Sequence, residues 1–448
     1  MTKKMVAGQP AGRGRLSRAG RSRALMMTLT MVLAVMAALA PPARVARAAS
    51  PAQAINPAAT IPLGDWRLTL AFPGGELPVG LELAREKGAV VAYLVNGADR
   101  TRAEQTRIVG RTLTLAFPSY ESSLSLTLAG DGRLAGTARL FRRAGPLTLK
   151  AVATHGDRWR FARAADPGAT SVAGTWAVSL EEEGQREQGL ATFRQIGSRV
   201  EGTFLFPSGD YRFLAGDVIG KTLMLSTFDG NQGTLWRGTL DRDGTLAGTK
   251  IEANSQAPAR WTARRDASAR LAAPARPRLL QPGFERLTFA FPDADGRMVS
   301  LADPRFRGKV VVVSIGGTWC PNCHDEARFL VPYHARHKAR GLEVIGLQFE
   351  YTDDPARSAA QIRRFAQRYG ITYPMLVAGV ANPEATRKAL PAIGGVSVYP
   401  TMLFIDRAGR LRRIHTGFSG PATGKLHTDF VKDFDGFVGK LLAEPTPR

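Results

Sequence analysis

The sequence VVVVSIGGTWCPNC, residues 310–323, decides the fold of the C-terminal part of this chain. Its first six residues form an almost uninterrupted apolar run, which is typical of a strand buried on both faces of a sheet. Cys320 and Cys323 follow where that strand ends and a helical pattern begins. Because two residues separate the cysteines, one helical turn brings their sulfur atoms together, and the spacing predicts a disulfide-forming pair at a helix N-terminus.

The residues around this stretch predict alternating strands and helices. The predicted elements are, in chain order, a hairpin at 287–301, a strand at 309–315, a helix to about 340, a strand at 342–349, a helix at 356–369, a hairpin at 401–415 and a helix at 430–442. This order predicts a three-layer α/β unit with a central mixed sheet over residues 284–448.

The position of the two cysteines predicts different roles for them. Unpaired N–H groups and partial positive charge at a helix N-terminus favour the thiolate form of Cys320, the more exposed of the two. Cys320 is the predicted nucleophile that forms a mixed disulfide with a partner's sulfur, and Cys323 is the predicted thiol that resolves it. Since the chain has only two cysteines, the electrons must come from and go to other molecules.

Two other uses of the cysteine pair are weaker hypotheses. A structural disulfide between residues three apart closes a very small loop and gives little entropic stabilisation. A zinc site with His334 and His337 is disfavoured because a helix rising about 1.5 Å per residue would hold Cys323 and His334 roughly 16 Å apart. We therefore expect no metal and no cofactor, with both histidines on the helix surface.

Residues 284–444 resemble the thioredoxin superfamily, in particular its TlpA/ResA-like branch of thiol-disulfide oxidoreductases. The motif at 319–323 matches the Trp-Cys-Pro-x-Cys active site of that family. The resemblance implies that Glu326 tunes the proton affinity of the thiols and that Pro400, in a cis-proline loop, receives the partner's backbone. A cis bond also suits a proline that directly precedes a buried strand. Ser314 stands where cytoplasmic thioredoxins carry a buried aspartate.

Two rival functions remain open beside thiol-disulfide exchange. A peroxiredoxin-like antioxidant enzyme would need a Pro-x-x-x-Thr-x-x-Cys motif, but Val313 and Gly317 occupy the proline and threonine positions before Cys320. The second rival is an envelope binding protein in which the preceding β-rich region is the functional part. Binding lost on deletion of that region, with redox activity unchanged, would indicate the second role.

Residues 57–265 predict a β-rich domain with an internal duplication of about 57–165 and 166–265. Three segments recur in the same order, displaced by 110 to 112 residues: 64–70 at 174–180, 111–115 at 221–225, and 131–137 at 243–249. Turn signals about every ten residues predict four or five short antiparallel strands per repeat. The two halves together would form a barrel or a pair of sandwiched sheets, with Trp66 and Trp176 packed in the core.

The two regions are joined by a segment rich in alanine, proline and arginine. Residues 266–283 have few apolar groups to bury and too many prolines for a regular helix, which predicts an extended linker. We therefore expect the β-rich region and the C-terminal region to be separate folding units.

The N-terminal 48 residues predict a secretory signal peptide. Seven basic residues between Lys3 and Arg23 precede the uncharged apolar run 24–40, and Ala46-Arg47-Ala48 suits a signal peptidase. The run is at the short limit for crossing a bilayer, so an uncleaved membrane tether is the weaker alternative. The predicted location is the periplasm or another exported compartment.

The charge of the chain excludes little beyond nucleic-acid binding. Lysine plus arginine (61) exceed aspartate plus glutamate (38), but nine of the basic residues precede Ala49, and the remaining excess is +14. These charges are scattered, without the clusters typical of nucleic-acid binding. The sequence as a whole predicts an exported oxidoreductase, most simply a reductase, with protein thiols or disulfides of the cell envelope as partners and a membrane protein as electron donor.

Overall fold

The computed structural model describes residues 60–271 and 279–446. The predicted signal peptide and the centre of the predicted linker lie outside the described residues. Within the described ranges, no helix combines the length and the apolar character that crossing a membrane requires.

The first repeat is a rolled antiparallel sheet. Its strands in the fully described range 60–165 are β1 Gly64–Phe72, β2 Gly75–Glu86, β3 Ala89–Asn96, β4 Asp99–Arg102, β5 Gln105–Val109, β6 Thr112–Phe117, β7 Ser122–Leu128, β8 Leu134–Arg142 and β9 Gly145–His155. Pairing of β1 with β9 joins the two ends of the repeat, and the sheet order is β4-β3-β2-β1-β9-β8-β7-β6-β5. A short 3₁₀ turn, Pro118–Tyr120, lies between β6 and β7.

The second repeat closes completely. Its strands between residues 166 and 271 are β10 Gly174–Glu182, β11 Gln185–Ile196, β12 Arg199–Phe206, β13 Gly209–Asp210, β14 Leu214–Ile219, β15 Thr222–Phe228, β16 Gly233–Leu240, β17 Thr245–Glu252 and β18 Ala259–Arg265. Pairing of β10 with β18 and of β12 with both β11 and β14 makes a continuous ring, with the short β13 hydrogen-bonded to β12 alone.

The duplication is confirmed strand by strand, but two details of the prediction are wrong. Each repeat has nine strands in the described residues instead of four or five, because most hairpins turn in two residues, as at Pro73-Gly74 and Lys87-Gly88. Each repeat also forms its own nine-stranded sheet, so the alternative of one barrel built by both halves is wrong. The alternative of two packed sheets agrees with the structure, because the apolar core of the first repeat includes Phe228, Leu235 and Ala253 of the second.

The two tryptophans occupy equivalent core positions, as predicted. Trp66 and Trp176 are each about 1% exposed. The indole N–H of Trp66 donates to the carbonyl of Pro62, and that of Trp176 to the carbonyl of Val172, four residues earlier in each case. Both rings therefore fill a barrel core while their one polar atom is satisfied.

The C-terminal region is the predicted three-layer α/β unit. Its strands and helices within 279–446 are β19 Ala290–Pro292, β20 Met298–Ser300, β21 Val310–Gly316, α1 Pro321–His337, β22 Leu342–Glu350, α2 Pro355–Tyr369, β23 Met375–Val380, α3 Pro383–Ala389, β24 Thr401–Ile405, β25 Leu411–Thr416 and α4 Lys425–Ala443. The mixed sheet has the order β23-β22-β21-β24-β25. Neighbours among β21, β22 and β23 pair in parallel, whereas β24 pairs antiparallel with both β21 and β25.

Two elements of this region were not predicted, and one begins earlier than expected. The edge strand β23 and the short helix α3 fill the stretch between α2 and the cis-proline loop. β23 contains Gly379 at φ +136°, which weakens its strand pattern in the sequence. Helix α4 begins at Lys425 and not near 430. The central strand β21 is buried throughout, as its composition predicts.

Candidate functional site

The cysteine pair lies at the junction of β21 and α1. Cys320 is the N-cap of α1 and Pro321 its first helical residue, a position where the missing proline N–H costs nothing. The two cysteines form a disulfide with their Cα atoms 5.2 Å apart. The backbone N–H of Cys323 points at Cys320 Sγ from 3.2 Å, so the helix N-terminus offers a hydrogen-bond donor to this sulfur.

The cis-proline loop lies against the same sulfur. The Tyr399–Pro400 peptide bond is cis, as predicted. The carbonyl oxygen of Tyr399 is 3.6 Å from Cys320 Sγ. Trp319 stacks on Tyr351 with ring centroids 4.5 Å apart and meets Tyr399 edge-on at 5.3 Å. The structure thus brings the Pro400 loop and Cys320 together.

Glu326 lies one helical turn beyond Cys323, on the face of α1 that covers β21. It is 2% exposed and accepts a hydrogen bond from the hydroxyl of Ser314, while its other oxygen is buried without a partner among the described residues. Burial raises the pKa of Glu326 to about 8, and the Ser314 hydrogen bond opposes this shift. Two residues along β21, the backbone of Gly316 lies under Cys323, where an added Cβ would approach Cys323 Sγ to 3.2 Å. Strand β21 thus packs against Cys323 Sγ through Gly316 and binds Glu326 through Ser314.

Two further polar residues hold the loop before Cys320 and were missed in the sequence. Glu350, at the end of β22, accepts hydrogen bonds from the N–H (2.9 Å) and hydroxyl (2.8 Å) of Thr318, and burial raises its pKa to about 7. His324 lies 2.7 Å from the carbonyl of Thr318 and 2.6 Å from the hydroxyl of Tyr369. Its burial holds its pKa well below the usual range. The sequence signal for Glu350 is a single acid at the end of an apolar strand.

The histidines weighed as zinc ligands lie on α1 with the cysteine pair at its start. His334 is 2% exposed, so the expectation that it lies on the helix surface is wrong. Its ring packs edge-on against Tyr373, and its Nε2 is 3.6 Å from Glu343. Because α1 is helical from Pro321 to His337, it carries His334 away from Cys323 as predicted for a continuous helix.

The prediction that Cys320 is the more exposed of the two cysteines is also wrong. Cys320 is 3% exposed and Cys323 4%, because the β-rich region packs over the face of the C-terminal unit that carries them. Arg212, beside β13, donates to Asp325 of α1 at 2.9 and 3.3 Å and to Asp229 at 3.1 Å. The two regions were expected to be separate, yet they meet across the cysteine pair.

Other contacts also hold the β-rich region over the cysteine pair; we call this part of the β-rich region the cover. The Gln232 side chain donates to the carbonyl of Trp319 at 3.4 Å, and the backbone N–H of Gly420 donates to the buried carboxylate of Asp210. From the first repeat, Tyr120 stacks on the His324 ring with centroids 3.9 Å apart and donates to Asp229 at 2.8 Å. Both repeats therefore contact the first turn of α1.

Comparison with known proteins identifies relatives of the C-terminal region. Residues 283–414 match the AhpC/TSA family. Thiol-disulfide oxidoreductase ResA of Geobacillus thermodenitrificans is 27% identical over 144 residues, which cover 32% of this chain and 74% of that protein. ResA of Bacillus thuringiensis (strain Al Hakam) is 29% identical over 134 residues, covering 30% of this chain and 68% of that protein. The C-terminal region is a thioredoxin-like domain related to ResA.

Both ResA relatives are thiol-disulfide oxidoreductases, which confirms the predicted enzyme class. Among solved structures, a thiol:disulfide interchange protein of the thioredoxin family from Chlorobium tepidum TLS is 26% identical, with a TM-score of 0.28, and the match covers 38% of this chain and 100% of that one. The β-rich region lies outside the span of the family match.

Proposed function

We propose that this protein is an exported thiol-disulfide oxidoreductase that reduces disulfides of other proteins in the cell envelope. The observation that carries the proposal is the Cys320–Cys323 pair at the N-terminus of α1, with the Pro400 loop against Cys320 and buried Glu326 one turn beyond Cys323. Export rests on the composition of residues 1–48, and the reductive direction and a membrane electron donor rest on the resemblance to the TlpA/ResA-like branch.

The proposed organisation follows the sequence boundaries. It comprises a signal peptide at 1–48, a β-rich domain at 57–265 with repeats at about 57–165 and 166–265, a linker at 266–283 and the ResA-like domain at 284–448. If the signal segment is retained, it tethers the enzyme to the membrane.

In the reduced protein, Cys320 acts as the nucleophile. The N–H of Cys323 and the positive end of α1 stabilise the Cys320 thiolate. The thiolate attacks a sulfur of the partner's disulfide and forms a mixed disulfide. The Pro400 loop receives the partner's backbone beside it.

Cys323 then completes the exchange. It attacks Cys320 Sγ, releases the reduced partner and leaves the disulfide seen here. This step needs the Cys323 proton to leave. A carboxyl group whose pKa is near 8 is a stronger base than an ordinary carboxylate once ionised, and its ionised fraction, which grows as pH approaches 8, can take that proton. Glu326 is therefore the proposed proton acceptor, oriented by the hydroxyl of Ser314.

Substitution of the cysteines tests these roles. Cys320→Ser is expected to abolish reduction of insulin disulfides with dithiothreitol as electron donor, and retained activity would disprove the nucleophile assignment. Cys323→Ala is expected to accumulate mixed disulfides with partner proteins on non-reducing gels. The same gels of the Cys320→Ser variant provide the matched control.

The direction of electron flow is tested by the reduction potential of the pair in the mature protein. A value near or below ~−230 mV supports a reductase that a membrane donor must recharge, whereas a value near ~−120 mV would indicate an oxidant.

The peroxidase alternative conflicts with the geometry before Cys320. Gly317 occupies the position of the activating threonine, and a Cβ there would collide with Trp319 Nε1 and lie 2.6 Å from the Phe349 carbonyl. A threonine therefore does not fit this backbone. The hypothesis that the β-rich region is a binding module in its own right has to account for its contacts with the cysteine pair.

A further inference from the structure

A buried glutamine lies on the side of the central sheet that carries Glu326. Gln348, in β22, is 3% exposed, and its Oε1 has no hydrogen-bond partner among the described residues. One oxygen of Glu326 is buried in the same unpaired state. Burying a polar atom without a partner costs stability, so a state of the protein other than the oxidised one explains these two oxygens better.

The strand register fixes the direction of this side chain. In the parallel ladder between β21 and β22, Gly346 pairs with Ser314, and Gln348 pairs with Gly316. Because side chains alternate along a strand, Gln348 extends from the same face as Ser314, whose hydroxyl donates to Glu326. The amide therefore lies in the layer between the sheet and α1.

Glycines leave room between this amide and the second cysteine. A Cβ added to Gly316 would lie 3.2 Å from Cys323 Sγ and 3.6 Å from Gln348 Nε2. A Cβ added to Gly346 would lie 3.4 Å from the same nitrogen. The amide nitrogen and the sulfur thus border the same space above Gly316. Reduction frees the Cys323 side chain, and the terminal torsion of a glutamine is broad, so an amide N–H can reach the sulfur once the disulfide is open.

The second sulfur needs a hydrogen-bond donor of its own. Cys323 is a thiolate when it attacks the mixed disulfide and when it leaves the intramolecular one. The helix N-terminus serves the first sulfur, because the backbone N–H of Cys323 points at Cys320 Sγ. Glu326 and Tyr373, which titrate in this layer, bring no positive charge, and burial raises the pKa of both. An amide can donate to the thiolate without adding charge to a buried site.

We propose that the Gln348 amide bridges Cys323 and Glu326 in the reduced protein, donating an N–H to the Cys323 thiolate and accepting a hydrogen bond from protonated Glu326. This inference rests on the proposed function, because it assigns a further residue to the same exchange reaction. The bridge forms when the proton of Cys323 has moved to Glu326, and it gives both unpaired oxygens a partner. It stabilises the state in which the sulfur carries the charge and the carboxyl group carries the proton.

The bridge is lost when the exchange is complete. The Cys323 thiolate attacks Cys320 Sγ, a bond forms between the two cysteines, and the bond to the partner's sulfur breaks. The partner's sulfur leaves as a thiolate and takes up a proton, so the partner is reduced and the cysteine pair is oxidised. Cys323 Sγ is then neutral, and the amide has lost the acceptor for its N–H.

The test measures the acidity of Cys323 in full mature chains where it is the only cysteine. In the Cys320→Ser protein, the ultraviolet absorbance of the thiolate against pH gives the ionisation constant of Cys323, and Cys320→Ser/Cys323→Ala gives the baseline. Adding Gln348→Met, which keeps the length of the side chain and removes the amide, is expected to lower this constant by about tenfold, or about one pKa unit. Gln348→Asn keeps an amide and is expected to lower it less.

A second buried glutamine provides the matched control. Gln361, in α2, is also 3% exposed, but its amide donates to the carbonyl of Ser119 in the first repeat. Gln361→Met is expected to lower the urea midpoint of the oxidised protein, because that carbonyl loses its partner, and to leave the Cys323 ionisation constant unchanged. Gln348→Met should do the reverse, because it removes an oxygen that is unpaired in the oxidised protein.

Three results would overturn the bridge: an unchanged Cys323 ionisation constant in Gln348→Met, an equal fall in Gln361→Met, or a fall in Gln348→Asn as large as in Gln348→Met. Insulin reduction by the parent with both cysteines separates this outcome from the proposed function. A parent that reduces insulin disulfides keeps that function even if the bridge fails. If the parent reduces no disulfide, the proposed function fails, whatever Gln348→Met does to the acidity of Cys323.

Discussion

The two β repeats have corresponding strands but contact the ResA-like domain in different ways. In both, the hairpin after the third strand and the hairpin between the sixth and seventh strands reach that domain. In the first repeat this region docks mainly on α2. The carbonyl of Arg102, in β4, accepts from Arg368 at 3.1 Å and that of Ser119 from Gln361 at 2.6 Å. Glu121 pairs with Arg357 and Arg364 at the surface, and Tyr120 reaches α1. In the second repeat these hairpins carry the buried charges over Cys320. The first repeat therefore holds mainly to α2, whereas the second repeat places its buried charges beside Cys320.

A second difference is how each sheet closes. In the first repeat, β4 is four residues long and no ladder joins β3 to β5 in the described residues. Ala103, between β4 and β5, donates its N–H to the carbonyl of Ala92 in β3 at 2.9 Å, and the N–H of Ala92 donates to Thr106 Oγ1 of β5 at 3.1 Å. In the second repeat, β13 is two residues long and β12 pairs directly with β14. Because the β12–β13 hairpin is so short, most of β12 is free to pair with β14, and this pairing completes the ring of the second repeat.

The largest expected effect on stability comes from replacing one arginine in each kind of contact by methionine, Arg212 at the second repeat and Arg357 at the first. Arg212→Met removes the buried arginine between Asp325 and Asp229. Asp229 then has no cationic partner among the described residues and Asp325 keeps only the partly exposed Arg328, so the free energy of unfolding should fall by about 3 to 5 kcal/mol. Arg357→Met removes a pair in which the arginine is 42% exposed and should cost less than about 1 kcal/mol. Urea denaturation of both variants measures the difference.

The same variants test whether the second repeat shields Cys320 from solvent. After reduction, Cys320 should be alkylated faster in Arg212→Met than in the parent, and at the parent rate in Arg357→Met. If both variants lose the same free energy of unfolding, the contacts of the two repeats stabilise the protein equally, and the proposed difference between them is wrong.

The next effect in size is a pH dependence specific to the second repeat. Burial, and secondly the charge of Asp325, raise the pKa of Asp210 to about 7. A raised carboxyl pKa contributes stability that is complete below the unfolded value near 3.8 and is lost as pH rises through the folded value. Asp210 should therefore cost roughly 3 kcal/mol of stability between about pH 4 and pH 7, at 1.36 kcal/mol per pKa unit.

Asp210→Asn keeps the shape of the side chain and removes its titration, so it should flatten this part of the stability profile. It replaces one of the two oxygens that accept from the backbone N–H groups of Arg212 and Gly420 by an NH2 donor, so a loss of stability that does not depend on pH is expected as well. Urea midpoints measured from pH 4 to pH 8 for the variant and the parent provide the measurement. Parallel profiles would mean that Asp210 does not titrate in this range.

Much of the ResA-like domain could be predicted because its information is local in the sequence. The apolar run at 310–315, the cysteine spacing and the proline before β24 each indicate their own structure, and the cis bond at Pro400 followed from its neighbours. The duplication was visible as repeated segments. The strand number was not, because two-residue turns leave little signal between long alternating runs.

The cover over the cysteine pair could not be predicted, because it depends on contacts between distant residues. Arg212 and Asp325 are 113 positions apart, and neither lies in a motif. The exposure of Cys320 was inferred from the ResA-like domain alone, where nothing in the local pattern indicates that another region packs on it. The buried positions of His324 and His334 likewise depend on tertiary contacts.

The smallest expected effect concerns the closure of the two sheets. Gly202 of β12 occupies the position, 110 residues on, of Ala92 in β3, and a Cβ on Gly202 would collide with the carbonyl of Thr192 and approach Phe193 to 2.7 Å. Gly202→Ala should therefore force the β11–β12–β14 ladder apart and lower the free energy of unfolding by about 1 to 3 kcal/mol. Ala92→Gly, the reciprocal change, should cost only about 0.5 to 1 kcal/mol, because it adds chain entropy without a collision. Denaturation, with hydrogen exchange at Leu214 as a local readout of the ladder, separates the two outcomes. If Gly202→Ala is neutral, the close approach of strands at Gly202 is not what closes the second ring, and the short β13 hairpin alone must account for it.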